Sequence, residues 1–141
     1  MRPKAYLDVA DELMGAGGAA RLRSAVSRAY YAVFHVATQA TAALGGPARS
    51  SDHELTGARF QSSPDPVISE LGQRFLNLKT ARHRADYRLA GGADVEDPVA
   101  VAALVREARE LAEAFSELPL GPLREAAAGA ISEYERMYRG R

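Results

Sequence analysis

Between Leu78 and Gly92 the chain reads LKTARHRADYRLAGG, with Lys79, Arg82, His83, Arg84 and Arg88 crowded around a single acid, Asp86, and a tyrosine, Tyr87. Just before it, Ile68, Leu71, Phe75 and Leu78 recur at helical spacing. A helix advances about 100° per residue, so the same stripe continues through Arg82, Ala85, Asp86 and Leu89. The basic cluster is therefore two things. Arg84 and Arg88 point away from the stripe and read as solvated. Arg82 and Asp86 lie on the face that should be buried, and a buried charge without a partner is costly. The spacing predicts one helix over 66–90.

Outward from this helix, the chain is a series of helical patterns separated by Gly and Pro. Pro3, read as a first helical position, precedes Tyr6, Val9, Ala10, Leu13 and Met14, and Gly15, Gly17 and Gly18 end that run. A long second helix is expected over 19–44, with Leu22, Val26, Ala29, Tyr30, Val33, Ala37, Ala40 and Leu44 as its apolar stripe. GGPARSSD breaks it, and a short helix follows over about 52–60. Asp65–Pro66 and Asp97–Pro98 each read as a capping acid followed by proline at the first helical position. The second pair opens a helix carrying Val101, Leu104, Val105, Leu111 and Phe115; LPLGP precedes a last helix over about 123–139. No strand alternation and no internal repeat is legible. The expected fold class is all-α, an up-and-down bundle of about five to six helices. It is read as a single domain over 1–141, with a core over about 5–118 and a C-terminal helix over 122–139.

Composition narrows the function classes. The chain has 141 residues, 47% hydrophobic and 26% charged, which is globular rather than disordered. Eighteen basic residues balance eighteen acidic ones, so any nucleic-acid binding has to be local rather than driven by a global basic field. Cysteine is absent, which removes disulfides, thiol nucleophiles and thiolate metal sites. Acids interrupt the apolar pattern of MRPKAYLDVADELM, unlike a signal peptide, and no apolar run approaches the roughly 20 residues that span a bilayer. The expectation is a cytoplasmic protein without membrane association.

The second helix carries a second side: Ser24, Arg28, Tyr31, His35 and Thr38 fall together, opposite the apolar stripe. This side offers Arg28, Tyr31 and His35 as partners for Asp86, or as chemistry. Two readings of Arg82 and Asp86 stand side by side: an ion pair that fixes helix register, or an arginine held by Asp86 to grip phosphate, whose oxygens match the guanidinium fork. His35 is read either as a hydrogen-bonded interior histidine or as a general base. Arg28 is seven residues away, roughly 10 Å along the axis. His53 and His83 stand singly, without HxxxH or HExxH spacing, so no metal site and no cofactor is expected. GAGGAA at 15–20 follows a helix and lacks GKS/T, and is read as a helix–helix turn.

Two segments together carry a resemblance. RSAVSRAYYAVFHVATQA, Arg23–Ala40, and LKTARHRADYRLA, Leu78–Ala90, resemble the HEPN superfamily, with SDHELTGARF between them. The match is to its branch of small stand-alone proteins with an SRAYYAxFH helix and an RxxADY helix. The resemblance covers about residues 22–118. It implies an up-and-down helical bundle, commonly a homodimer. Active members are metal-independent RNases with an R-x4-6-H motif on a late core helix, paired across the dimer. Many bacterial members are encoded beside a small nucleotidyltransferase and work as toxin–antitoxin or defence pairs. Here no histidine follows Arg82 or Arg84 at that spacing, since ADYRLAGG stands there. Arg28-x6-His35 fits the letters but lies on the earlier helix. The sequence resembles the branch without the standard nuclease motif.

Three functions follow as expectations. One is an interaction protein binding RNA, a nucleotide or a nucleotidyltransferase partner through Arg28, Tyr31, His35, Arg82, Asp86 and Tyr87. Another is an endoribonuclease with a non-standard site, with His35, Arg28 and Arg82 as catalytic candidates. The third is a structural helical dimer.

Overall fold

The structure, a computed structural model, describes residues 1–47 and 52–139. Among these, six α-helices account for most of the chain and no strand occurs: α1 Lys4–Ala16, α2 Ala19–Ala43, α3 His53–Gln61, α4 Pro66–Tyr87, α5 Pro98–Glu117 and α6 Arg124–Tyr134. Short 3-10 turns occupy Ala93–Val95 and Leu118–Leu120, and a π turn, Glu135–Arg139, follows α6. The all-α class with five to six helices is therefore correct. Part of the GGPARSSD break lies outside the described residues. No helix among them is long and apolar enough to cross a membrane.

Local chemistry sets three of the six helix starts. The first backbone N–H groups of a helix lack intrahelical partners, and an acid just before the helix supplies one. Asp52 accepts from Leu55 N at 3.1 Å. Asp65 Oδ1 accepts from Val67 N at 2.9 Å and Ile68 N at 3.2 Å. Asp97 Oδ2 accepts from Ala100 N at 2.8 Å. Pro66 and Pro98 open their helices at positions where no N–H is needed. Pro3 is the cap of α1 rather than its first residue.

Two boundaries differ from expectation. α4 stops at Tyr87 rather than running to 90, because a distant side chain takes over its last carbonyls, as described below. The last helix gives way at Glu135 to the π turn.

The chain forms two compact units, residues 1–33 with 77–110 and residues 34–76 with 111–141. α2, α4 and α5 each contribute a segment to both. The first unit buries Leu7, Val26, Tyr30, Leu78, Val101 and Val105. The second is aromatic: Phe115 meets Phe60 at 5.0 Å and Phe75 at 6.3 Å between ring centres, both within the range that favours tilted and edge contacts. Arg59 on α3 is only 1% exposed there; its Nε donates to Glu135 Oε1 at 2.7 Å and its Nη2 has no hydrogen-bond partner among the described residues.

In the second unit α3 and α4 touch backbone to side chain at Gly57 and backbone to backbone at Gly72. A Cβ on Gly57 would meet Leu76 at 2.6 Å and Phe75 at 2.7 Å; one on Gly72 would fall on the backbone of Gln61 and Phe60. Backbone cannot step aside, so Gly72→Ala should destabilise by about 1–3 kcal/mol. Gly129 on α6 has nothing within 4 Å of its would-be Cβ, and Gly129→Ala in a helix interior should stabilise by about 1 kcal/mol. Thermal melts of the two variants should move in opposite directions; a shift of both the same way would contradict this packing.

Candidate functional site

The candidate site belongs to the first unit and is built on the last turns of α4. Its foundation is Arg23 of α2, 7% exposed. A helix C-terminus leaves carbonyls without partners, and Arg23 Nη1 donates to three oxygens there: Arg84 O at 2.9 Å, Ala85 O at 3.2 Å and Arg88 O at 2.7 Å. Nη2 reaches Leu89 O at 3.5 Å, and Nε pairs with Glu96 Oε1 at 3.2 Å. This one guanidinium caps α4 and ties the following loop to it. The loop folds close enough that a Cβ on Gly92 would stand 2.5 Å from Arg23 Nη2.

Above this cap sit the residues singled out from sequence. Arg82 and Asp86 form an ion pair within α4, Nε to Oδ2 at 3.0 Å. The Nε–H is buried and does not aim at that oxygen, so the contact is one of charge rather than a directed hydrogen bond. The directed bonds come from α2. Arg82 Nη2 donates to Tyr31 Oη at 2.8 Å, and Ser27 Oγ donates to Asp86 Oδ2 at 3.2 Å. The pair is thus made within one helix and oriented by its neighbour.

Three aromatic rings surround the guanidinium. The Arg82 Cζ lies 5.5 Å from the Tyr30 ring centre, 5.3 Å from Tyr31 and 5.8 Å from Tyr87, all within cation–π range. Tyr6 of α1 packs against Tyr31 at 6.3 Å. Burial is the largest single influence on Arg82 and opposes its charge. The Tyr31 hydroxyl bond and the nearby Tyr31, Asp86 and Tyr87 together outweigh it, so the pKa is raised above that of an ordinary arginine.

The outer rim is open. Tyr87 is 63% exposed, and the exposed His83 ring lies 4.9 Å from it. Arg28 and Arg88 are exposed. Arg84, expected to be solvated, is half-buried and pairs with Asp94 of the Ala93–Val95 turn at 2.6 Å. The structure therefore brings Tyr31, Arg82, Asp86 and Tyr87 together. Ser27, rather than Arg28 or His35, bonds Asp86 from α2. His35 belongs to the second unit, exposed and 5.5 Å from Phe34, whose ring also stacks on His53 at 4.0 Å.

Sequence reading passed over Arg23, Ser27 and Asp94. Arg23, Ser27 and Tyr31 are spaced i, i+4, i+8, so a stripe at that register was available as a signal. The Asp94 contact had no comparable signal, because it comes from a three-residue turn.

The second unit holds a cavity of about 420 Å³ between the loop before α4 and α6, lined by Ser63, Asp65, Ala130, Glu133, Tyr134 and Tyr138 among others. Its carboxylates are engaged: Asp65 caps α4, and Glu133 is pulled below the usual carboxylate range by its hydrogen bond from Arg136. The described residues contain no group of three or more His, Asp or Glu side chains able to hold a metal ion. No protein-family model, curated protein or solved structure matches this chain.

The energetic weight of the site lies in its foundation. Breaking a buried, multiply bonded charge costs about 3–5 kcal/mol, whereas a half-exposed pair is worth about 1 kcal/mol or less. Arg23→Met should therefore destabilise by about 3 kcal/mol or more in urea unfolding, and Asp86→Asn by about 1 kcal/mol. An Asp86 effect equal to that of Arg23 would show that the upper pair, not the cap, holds this end of the unit.

Proposed function

We propose that this chain is a HEPN-type helical protein that binds single-stranded RNA or a free nucleotide at the Arg82 cluster without cleaving it. It acts in the cytoplasm as a homodimer within a two-component module of toxin–antitoxin or defence type, beside a nucleotidyltransferase. The module and the dimer rest on the resemblance of the Arg23–Ala40 and Leu78–Ala90 segments. The binding rests on one observation: a firmly charged arginine framed by three tyrosines, one of them 63% exposed and paired with an exposed histidine ring.

Single-stranded nucleic acid is held by stacking bases on aromatic rings and by pairing phosphates with guanidinium groups. Tyr87 and His83 supply a stacking face, and Arg82 lies behind the Tyr87 ring. The balanced total charge of the chain suits a local site over a general polyanion sponge. Without a histidine placed on the late helix at the nuclease spacing, the same residues suit holding rather than turnover.

Fluorescence anisotropy with a short labelled oligouridylate should show saturable, salt-sensitive binding. Tyr87→Ala should weaken it by about tenfold, the effect of losing one stacked base, and Arg82→Ala should weaken it as well; competition with uridine monophosphate separates strand binding from nucleotide binding. Labelled total RNA incubated with the protein in EDTA should remain intact. Cleavage that disappears in His35→Ala or Arg82→Ala would replace this reading with a metal-independent ribonuclease, and absence of any binding would refute it.

A further inference from the structure

Three arginine–carboxylate pairs gather at the end of α4, and burial ranks how firmly each is held. Arg23 keeps Glu96 while also donating to backbone oxygens, with its side chain 8% exposed. Arg82 keeps Asp86 with help from Tyr31 and Ser27, at 14% and 28% exposure. Arg84 and Asp94 are the most open, at 33% and 46%, and meet through Nη2 and Oδ2 at 2.6 Å. An exposed pair of this kind contributes little net stability and opens readily.

Arg84 is also well placed. At about 100° per residue it lies some 60° around α4 from Tyr87, on the side away from Arg82. Arg82 and Arg84 thus lie on opposite sides of Tyr87 around the helix, each paired with a carboxylate, and the pair of Arg84 with Asp94 is the more open of the two. A carboxylate and a phosphate present oxygens to arginine in the same way, and both pair with its fork. Asp94 sits in a three-residue turn preceded by Gly91 at φ +77°, a left-handed conformation.

We propose that Asp94 is an internal stand-in for phosphate: it occupies Arg84 in the unbound protein and gives way when an RNA phosphate arrives beside Tyr87. Arg84 is then a second phosphate-binding residue of the site, held in reserve, and Asp94 sets the threshold for binding. This rests on the RNA reading above and adds a phosphate position and its control. The exchange swaps one anion for another on the same cation. It favours a strand with several phosphates over water-borne single ions, because the strand is already anchored by stacking when it competes with Asp94.

A double-mutant cycle in the oligouridylate anisotropy assay tests this, with circular dichroism melts to confirm that the exposed substitutions leave the fold intact. Asp94→Asn should bind about three- to fivefold more tightly, the scale of one exposed ion pair removed from the unbound state. Arg84→Ala should bind more weakly than the natural chain and flatten the logarithmic salt dependence by about 0.7, one phosphate contact on a single strand. In the Arg84→Ala background, Asp94→Asn should bring no gain. A gain that survives without Arg84 would mean only that a negative charge had been removed nearby, and would overturn the proposal; so would an Asp94→Asn variant that binds like the natural chain. If Arg82→Ala binds normally while the cycle behaves as expected, the Arg82 reading falls and the role of Asp94 stands. If neither the natural chain nor Asp94→Asn binds RNA, both fall.

Discussion

A helix that ends inside a protein leaves its last carbonyl oxygens to be satisfied by something else, and at α4 that something is the buried guanidinium of Arg23. The bond set has two effects at once. It halts the helix at Tyr87, and it draws the loop carrying Glu96 back over the helix end. Every other feature of the site inherits its position from this cap. Asp86 and Tyr87 are the last residues of a helix whose terminus is fixed, and Gly92 is required to be small because the cap stands against it. The charge on Arg23 has carbonyl dipoles and a carboxylate around it, so its burial is compensated rather than stored as strain.

The polar groups above the cap form a gradient rather than a network of equals. Near the helix axis the contacts are multiple and dry; toward the rim they become single and wet. Electrostatic interactions weaken along the same direction, since solvent screening rises with exposure. A surface arranged this way keeps its shape at the base while its outermost charges remain exchangeable. The tyrosines follow the gradient too: Tyr30 is fully buried, Tyr31 half-buried and bonded through its hydroxyl, and Tyr87 largely in water. Three copies of one residue thus serve as packing, as positioning and as an open ring.

What could be read in the sequence tracks how local the physics is. Asp65–Pro66 and Asp97–Pro98 announced helix starts correctly because capping involves residues two or three positions apart. The joint face of Arg82 and Asp86 was legible because helical periodicity alone placed them four apart. The end of α4 was not, since the group that ends it lies 61 residues away in sequence from Arg84. The polar side of α2 was read at Ser24, Arg28, Tyr31 and His35, whereas the residues that reach α4 are Arg23, Ser27 and Tyr31. That stretch of α2 interleaves alanines with polar residues, so hydrophobicity barely distinguishes neighbouring registers, and a one-residue shift turns the face by about 100°. The tie between Arg84 and Asp94 was hidden because it depends on the path of an irregular loop.

The π turn that follows α6 gives the second unit an unusual dependency. Segments beyond the last regular helix of a domain are commonly expendable and tolerate trimming or tagging. Here Glu135, the first residue of that turn, is the counter-ion of Arg59, a cation with 1% exposure and one nitrogen that has no hydrogen-bond partner among the described residues. The neutrality of an interior position is therefore carried by the periphery. A change at Glu135 is therefore an edit to the core, and the room for variation at this position is set by charge balance rather than by space.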